Sequence, residues 1–218
     1  SGRPRQVTSP VSLVVSAFAS LRSVAGTWTP QLLPGSSLVL VDLGAGRDRL
    51  GGSMLAQVTG QFGDVVPDLD DPARLVALAA ALGQLRAEGL VTAYHDRSDG
   101  GLWATACAPS TAGATGVDLD VPGVAALFSE ELGVVLGVAD DAVDRVFAVL
   151  SGHGLGGLSR LVGQTSQDRR VRVSVAGEPF LDEDLRDLAQ AWDEVSWRIC
   201  ALRDNPECAD EEHAAFGA

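Results

Sequence analysis

Residues 95–101 read His-Asp-Arg-Ser-Asp-Gly-Gly, which brings two carboxylates, a hydroxyl and a glycine pair to one junction. The stretch follows an apolar run (Leu90, Val91, Ala93, Tyr94) and precedes a helix start expected at Leu102. Hard divalent cations take oxygen ligands, so Asp96 or Asp99 is a candidate metal ligand, and spacing does not choose between them. Ser98 is a candidate donor to a phosphate oxygen, while Gly100 and Gly101 would let backbone amides approach the same anion. A helix beginning just after them would add its unpaired N–H groups and positive dipole end. The competing reading is an acidic turn with an ordinary helix cap, because short Asp/Ser/Gly runs mark many turns.

Three further groups carry chemistry-bearing side chains. Arg47-Asp48-Arg49-Leu50-Gly51-Gly52 is either an anion-binding loop or an exposed turn. Glu130 and Glu131 suit acid–base or metal chemistry, but a carboxylate pair at a helix end is more often solvated or capping. His95 adjoins the candidate aspartate and is read as structural. His153 lies between glycines and His213 in an acidic tail, and neither is read as catalytic. No residue is assigned a catalytic role.

These groups have to be positioned by a core, and 218 residues with 46% hydrophobic and 21% charged composition suffice to build one. The net charge of −13 argues against nucleic acid and anionic membrane surfaces as partners. All 16 basic residues are arginine, which removes any phosphate-binding or Schiff-base lysine from this chain. The three cysteines, Cys107, Cys200 and Cys208, lack metal-ligand spacing, and their odd number favours reduced thiols in a cytoplasmic setting. No apolar run reaches the roughly 18 residues of a membrane span.

Apolar runs predict strands at 11–19, 38–43, 117–121 and 132–138, and alternating valines predict another at 171–175. Asp70-Asp71-Pro72 is a strong helix start, with Leu75, Leu78, Leu82 and Leu85 on one face and Gly89 as the stop. Shorter helices are expected over 124–131 and 140–150, the latter ended by Gly152-His153-Gly154. Leu188, Trp192, Val195, Ile199 and Leu202 form a last helical stripe, broken at Asn205-Pro206 and followed by an acidic tail to Phe216. The pattern predicts an α+β layered sandwich, a mixed β-sheet covered by helices.

Five segments occur in an informative order: Ser9–Ala19 (SPVSLVVSAFA), Arg49–Gln57 (RLGGSMLAQ), Tyr94–Gly101 (YHDRSDGG), Phe128–Gly133 (FSEELG) and Leu202–Cys208 (LRDNPEC). Together they resemble phosphoribosylformylglycinamidine synthase, the ATP-dependent amidotransferase of purine biosynthesis, from about Ser9 to about His213. The resemblance is to the second C-terminal-type module of the synthetase half, within the AIR synthase-related superfamily. It implies a flexible lead-in at 1–10, the C-terminal-type domain at 11–187, and a helical linker at 188–218 toward a glutaminase domain. It further implies Mg²⁺ and ATP or ADP as cofactors, Asp96 as the metal ligand, and Ser98, Gly100 and Gly101 as the nucleotide contacts. The implied partners are the remaining synthetase modules and the glutaminase domain, without which this chain is expected to be inactive. The alternative is a non-catalytic structural or interaction module of the same superfamily.

One departure from the family pattern stands out. Where the family continues as a helix, this chain has Cys107-Ala-Pro-Ser-Thr-Ala-Gly113. An interior proline costs about 3 kcal/mol in a helix and removes a donor. The expectation is a helix shortened to about two turns, ending near Ala108, and a weakened or rearranged site.

Overall fold

The computed structural model describes residues 14–63 and 65–215. The expected lead-in at 1–10 and the end of the tail at Phe216 lie outside the described residues. At its centre is β1 (Ser36–Asp42), whose run of Leu38 to Val41 is buried on both faces. It pairs antiparallel with β4 (Gly133–Ala139) on one side and β5 (Ser159–Ser166) on the other. The edge strand β2 (Ala93–Asp96) pairs with β4. Beyond β5 lie β3 (Gly116–Val121), β6 (Arg170–Val175) and β7 (Glu178–Asp184), giving the order β2-β4-β1-β5-β3-β6-β7. Among the described residues only β3 and β6 pair in parallel, so the sheet is mixed.

Alternation along β1 sorts the helices into two layers. Leu38 and Leu40 face α3 (Gly101–Gly113) and α4 (Val124–Phe128), meeting Leu102, Ala106, Ala126 and Leu127. Val39 and Val41 face α2 (Pro72–Glu88) and α5 (Val143–Gly152), meeting Leu78, Leu85, Val146 and Leu150. Full burial of each such leucine contributes about 1.5–3 kcal/mol. The expected α+β layered sandwich is the observed architecture.

Helix α2 keeps its expected bounds. The Asp71 carboxylate accepts from the Ala73 amide, Pro72 opens the helix, and Gly89 closes it at φ +67°. Leu78 and Leu85 are buried, whereas Leu75 faces solvent, so the apolar face is narrower than its leucines suggest.

The structure corrects three sequence expectations. Residues 14–19 of the first expected strand form no regular element and are exposed; residues 11–13 lie outside the described part. Helix α3 does not stop near Ala108 but runs through Pro109 to Gly113. Pro109 is buried, and it lines a small apolar void with Leu32, Leu38 and Val135. Packing of this face outweighs one missing helix bond, the usual way tertiary context overrides propensity. The acidic segment after Asn205 is a helix, α7 (Pro206–Ala215), stacked on α6 (Leu185–Arg203). Its hold is polar: Trp197 Nε1 donates to Asp210 at 2.8 Å, and the His213 ring stacks on Trp197. The helical stripe expected on α6 forms, and it faces outward.

Arg172 on β6 ties Asp118 of β3 to Asp168 in the loop before β6. The Arg172 guanidinium, with the Ser166 hydroxyl, holds the Asp168 carboxyl down at about 2. A depressed folded value gives stability that is present above the unfolded value, about 3.9, and lost as pH falls through about 2. In urea titrations, the wild type is expected to lose more stability than Asp168→Asn between those two pH values. Parallel pH profiles for the two proteins refute the assignment.

Candidate functional site

The site begins where the edge strand β2 ends. Its ladder with β4 sets Asp96 opposite Val134, and the Arg97 amide extends the pairing to the Gly133 carbonyl at 2.8 Å. Alternation then sends Asp96 and Arg97 to opposite faces. The Asp96 side chain is 65% exposed, whereas that of Arg97 is fully buried. Ser98 Oγ donates to Asp96 Oδ2 at 2.7 Å, joining the two candidate residues in one turn. His95 Nδ1 lies 2.6 Å from the Asp96 carbonyl oxygen and 3.7 Å from Asp96 Oδ1, next to the carboxylate as the sequence suggested.

Two consecutive left-handed glycines, Gly100 at φ +82° and Gly101 at φ +64°, then turn the chain into α3. Their amides are already used within the protein. The Gly101 N–H donates to the Ser98 carbonyl at 2.9 Å, and the Gly100 N–H donates to Glu130 Oε1 at 2.8 Å. The same Glu130 oxygen accepts from the Met54 amide, the first residue of α1 (Met54–Val58). Gly101 is required by proximity as well as by φ, since a Cβ there would lie 2.6 Å from the Ser129 carbonyl oxygen. The glycine pair therefore packs the turn against the α4–β4 link and tethers it to Glu130.

Behind the turn lies a buried ionic cluster that sequence reasoning missed. Arg97 Nη2 donates to Asp42 Oδ1 at 2.5 Å, and its Nε donates to the Glu131 carbonyl at 2.6 Å. Glu131 is wholly buried and receives Arg49 in a bidentate pair, Nη2 to Oε2 being 2.7 Å. Asp42 also accepts from the Gly44 and Gly46 amides at 3.0 and 2.7 Å, fixing the loop after β1. Burial and the nearby Asp42 carboxylate push the Asp48 carboxyl up. Asp48 Oδ1, Arg97 Nη1, and Arg160 Nε and Nη2 are buried without a hydrogen-bond partner among the described residues. A signal for Arg97 existed: strand alternation past Asp96 puts position 97 on the inward face.

The other sequence candidates resolve as follows. Arg49 is shared between Glu131 and Asp70, and Arg47 pairs with Asp70 at 2.7 Å, so both guanidinium groups of the 47–52 loop are engaged by carboxylates. Burial lifts the Asp70 carboxyl, but Arg49 and Arg47 outweigh it and hold the group below its ordinary value. His153 Nε2 lies 2.9 Å from Gln84 Oε1, and His213 Nδ1 lies 2.8 Å from Asp193 Oδ2, both away from the turn. Among the described residues, no three of His, Cys, Asp and Glu gather as a metal-binding group. What the turn can offer a metal is two exposed carboxylates, Asp96 and Asp99, a fit for Mg²⁺, which keeps several waters and takes one or two protein carboxylates.

A family model described as "AIR synthase related protein, C-terminal domain" matches residues 34–176, from before β1 to just past β6 and including the whole turn. The chain belongs to this family. As an AIR synthase-related C-terminal domain, it shares its fold with longer proteins. Thermotoga maritima PurL in complex with ATP superposes with a TM-score of 0.60 at 17% identity, covering 74% of this chain and 27% of that one. Phosphoribosylformylglycinamidine synthase II from the same organism gives 0.60 at 18% identity, with 74% and 27% covered. E. coli HypE, a hydrogenase maturation protein, gives 0.51 at 23% identity, with 72% and 52% covered. The chain thus spans about a quarter of the length of the PurL chains it matches. No helix among the described residues is long and apolar enough to cross a membrane.

Proposed function

We propose that this domain is the second C-terminal-type module of a phosphoribosylformylglycinamidine synthase, contributing part of a Mg²⁺–nucleotide site. The parent reaction converts formylglycinamide ribonucleotide to the amidine with ATP and glutamine. The observation that carries the reading is the exposed Asp96 carboxylate hydrogen-bonded to Ser98 at a two-glycine helix start within the matched family region. The ATP complex of the T. maritima relative and the Leu202–Cys208 segment of this chain support it.

Under this reading the exposed Asp96 carboxylate would hold the metal. The metal, when bound, supplies charge neutralisation for the phosphate oxygens. Ser98 would turn its hydroxyl from Asp96 to the phosphate. Gly100 and Gly101 shape the cradle rather than line it, because their amides are committed to Glu130 and Ser98. The other ligands come from the remaining synthetase modules, and residues 188–218 lead toward the glutaminase in a cytoplasmic enzyme.

A second reading, a non-catalytic interaction module of the superfamily, is favoured by those same satisfied glycine amides. Amide NMR of the chain with Mn²⁺–ADP, a paramagnetic stand-in for Mg²⁺–ADP, separates the two. Selective broadening at residues 95–101, abolished in Asp96→Asn, is the expected result. Broadening that is absent, or unchanged in the variant, favours the interaction module.

A further inference from the structure

Helix α6 presents an apolar row to solvent. Leu188, Trp192, Val195, Ile199 and Leu202 follow at alternating intervals of four and three residues, the 3.5-residue repeat of a coiled-coil seam. Trp192 is 78% exposed, Val195 67%, Ile199 53% and Leu202 90%. Elsewhere on α6, Leu185 and Ala189 are buried, with α3 and β7 as neighbours, and α7 packs along the Trp197 side. From Leu188 to Leu202 the row makes a seam about 21 Å long. Exposed rows of this kind mark interaction sites.

Charge selects the occupant. Residues 185–215 carry eight carboxylates against three arginines. The two arginines beside the seam, Arg198 and Arg203, are already paired with Glu194 and Asp204. What remains is a negative field from Asp187 and the carboxylates of α7. A second copy would bring the same field, on a chain of net charge −13, against it. We infer that α6 docks an amphipathic helix of a partner protein, with an apolar heptad seam flanked by lysine and arginine. Apolar packing would supply the affinity, and the basic flanks the choice of partner.

The test uses the full chain and two synthetic helical peptides about three heptads long, with leucine at both seam positions. One carries lysine at the remaining positions, the other glutamate. Fluorescence anisotropy is expected to show binding of the lysine peptide at least about tenfold tighter than the glutamate peptide, weakening as salt screens the charges. Trp192→Asp and Ile199→Asp should each weaken it by about tenfold or more, as loss of an anchoring side chain does. Both side chains are exposed, so the variants keep their fold, which circular dichroism checks. Equal binding of the two peptides, binding of neither, or unaltered binding by the variants overturns the inference. So does a dimer, seen by sedimentation without peptide, that the same substitutions dissolve.

Discussion

Arg97→Met is expected to destabilise the protein by about 3–5 kcal/mol, the usual consequence of breaking a buried ion pair from one side. The substitution strands Asp42, which is 5% exposed, and removes the donors that reach the carbonyls of Glu131 and Leu132. Methionine fills much of the volume, so the cost is electrostatic and polar rather than a cavity. Denaturant titration at constant m-value gives the loss directly. In the double variant Arg97→Met/Asp42→Asn, part of the loss should return, because no buried carboxylate is then left unpaired. A single-variant loss under about 1 kcal/mol would place the pair among weak surface bridges and sink the claim. Arg97 also sits between Asp96 and Ser98 in the chain. Faster hydrogen exchange at Ser98 to Gly101 in the variant is expected if the cluster holds the turn in place.

Local signals were legible where one residue type has one physical job. Asp71, Pro72 and Gly89 set both ends of α2, and the apolar runs of β1, β3 and β4 marked strands that the sheet buries. Elements that draw their stability from neighbours were not. β5 reads Ser-Arg-Leu-Val-Gly-Gln-Thr-Ser and is defined by its ladders to β1 and β3 rather than by an apolar pattern. β7 lies at the sheet's edge with a mostly charged and exposed sequence. α7 is polar nearly all round and exists through its contacts with α6. At the site, sequence assembled Asp96, Ser98 and the glycines correctly as one turn. It could not see that Glu131, 34 residues beyond Arg97, would sit beneath it as a buried carboxylate. Nor could it tell that Glu130 would occupy the Gly100 amide.

The glycine pair offers the sharper separation of backbone conformation from crowding. Gly101→Ala is expected to cost about 3 kcal/mol, combining about 1–2 for a left-handed non-glycine residue with about 1–3 for overpacking. The crowding is specific: the added methyl would lie 2.6 Å from the Ser129 carbonyl oxygen and 2.7 Å from the Phe128 carbonyl carbon, both backbone atoms. Gly89→Ala is the matched control, with φ +67° against +64° but nothing within 4 Å of the new atom. Its expected cost is about 1 kcal/mol. The difference between the two isolates the contact of α3 with the α4–β4 link. Relief of that clash has to move the start of α3 away from Ser129, lengthening the Glu130 bond to the Gly100 amide and shifting Ser98 relative to Asp96. Gly101→Ala should therefore disturb the amide resonances of residues 96–101 and 128–131 together, while Gly89→Ala leaves both groups alone. Equal stabilities for the two variants would mean that the turn yields freely, and with it the rigid seat on which Asp96 stands.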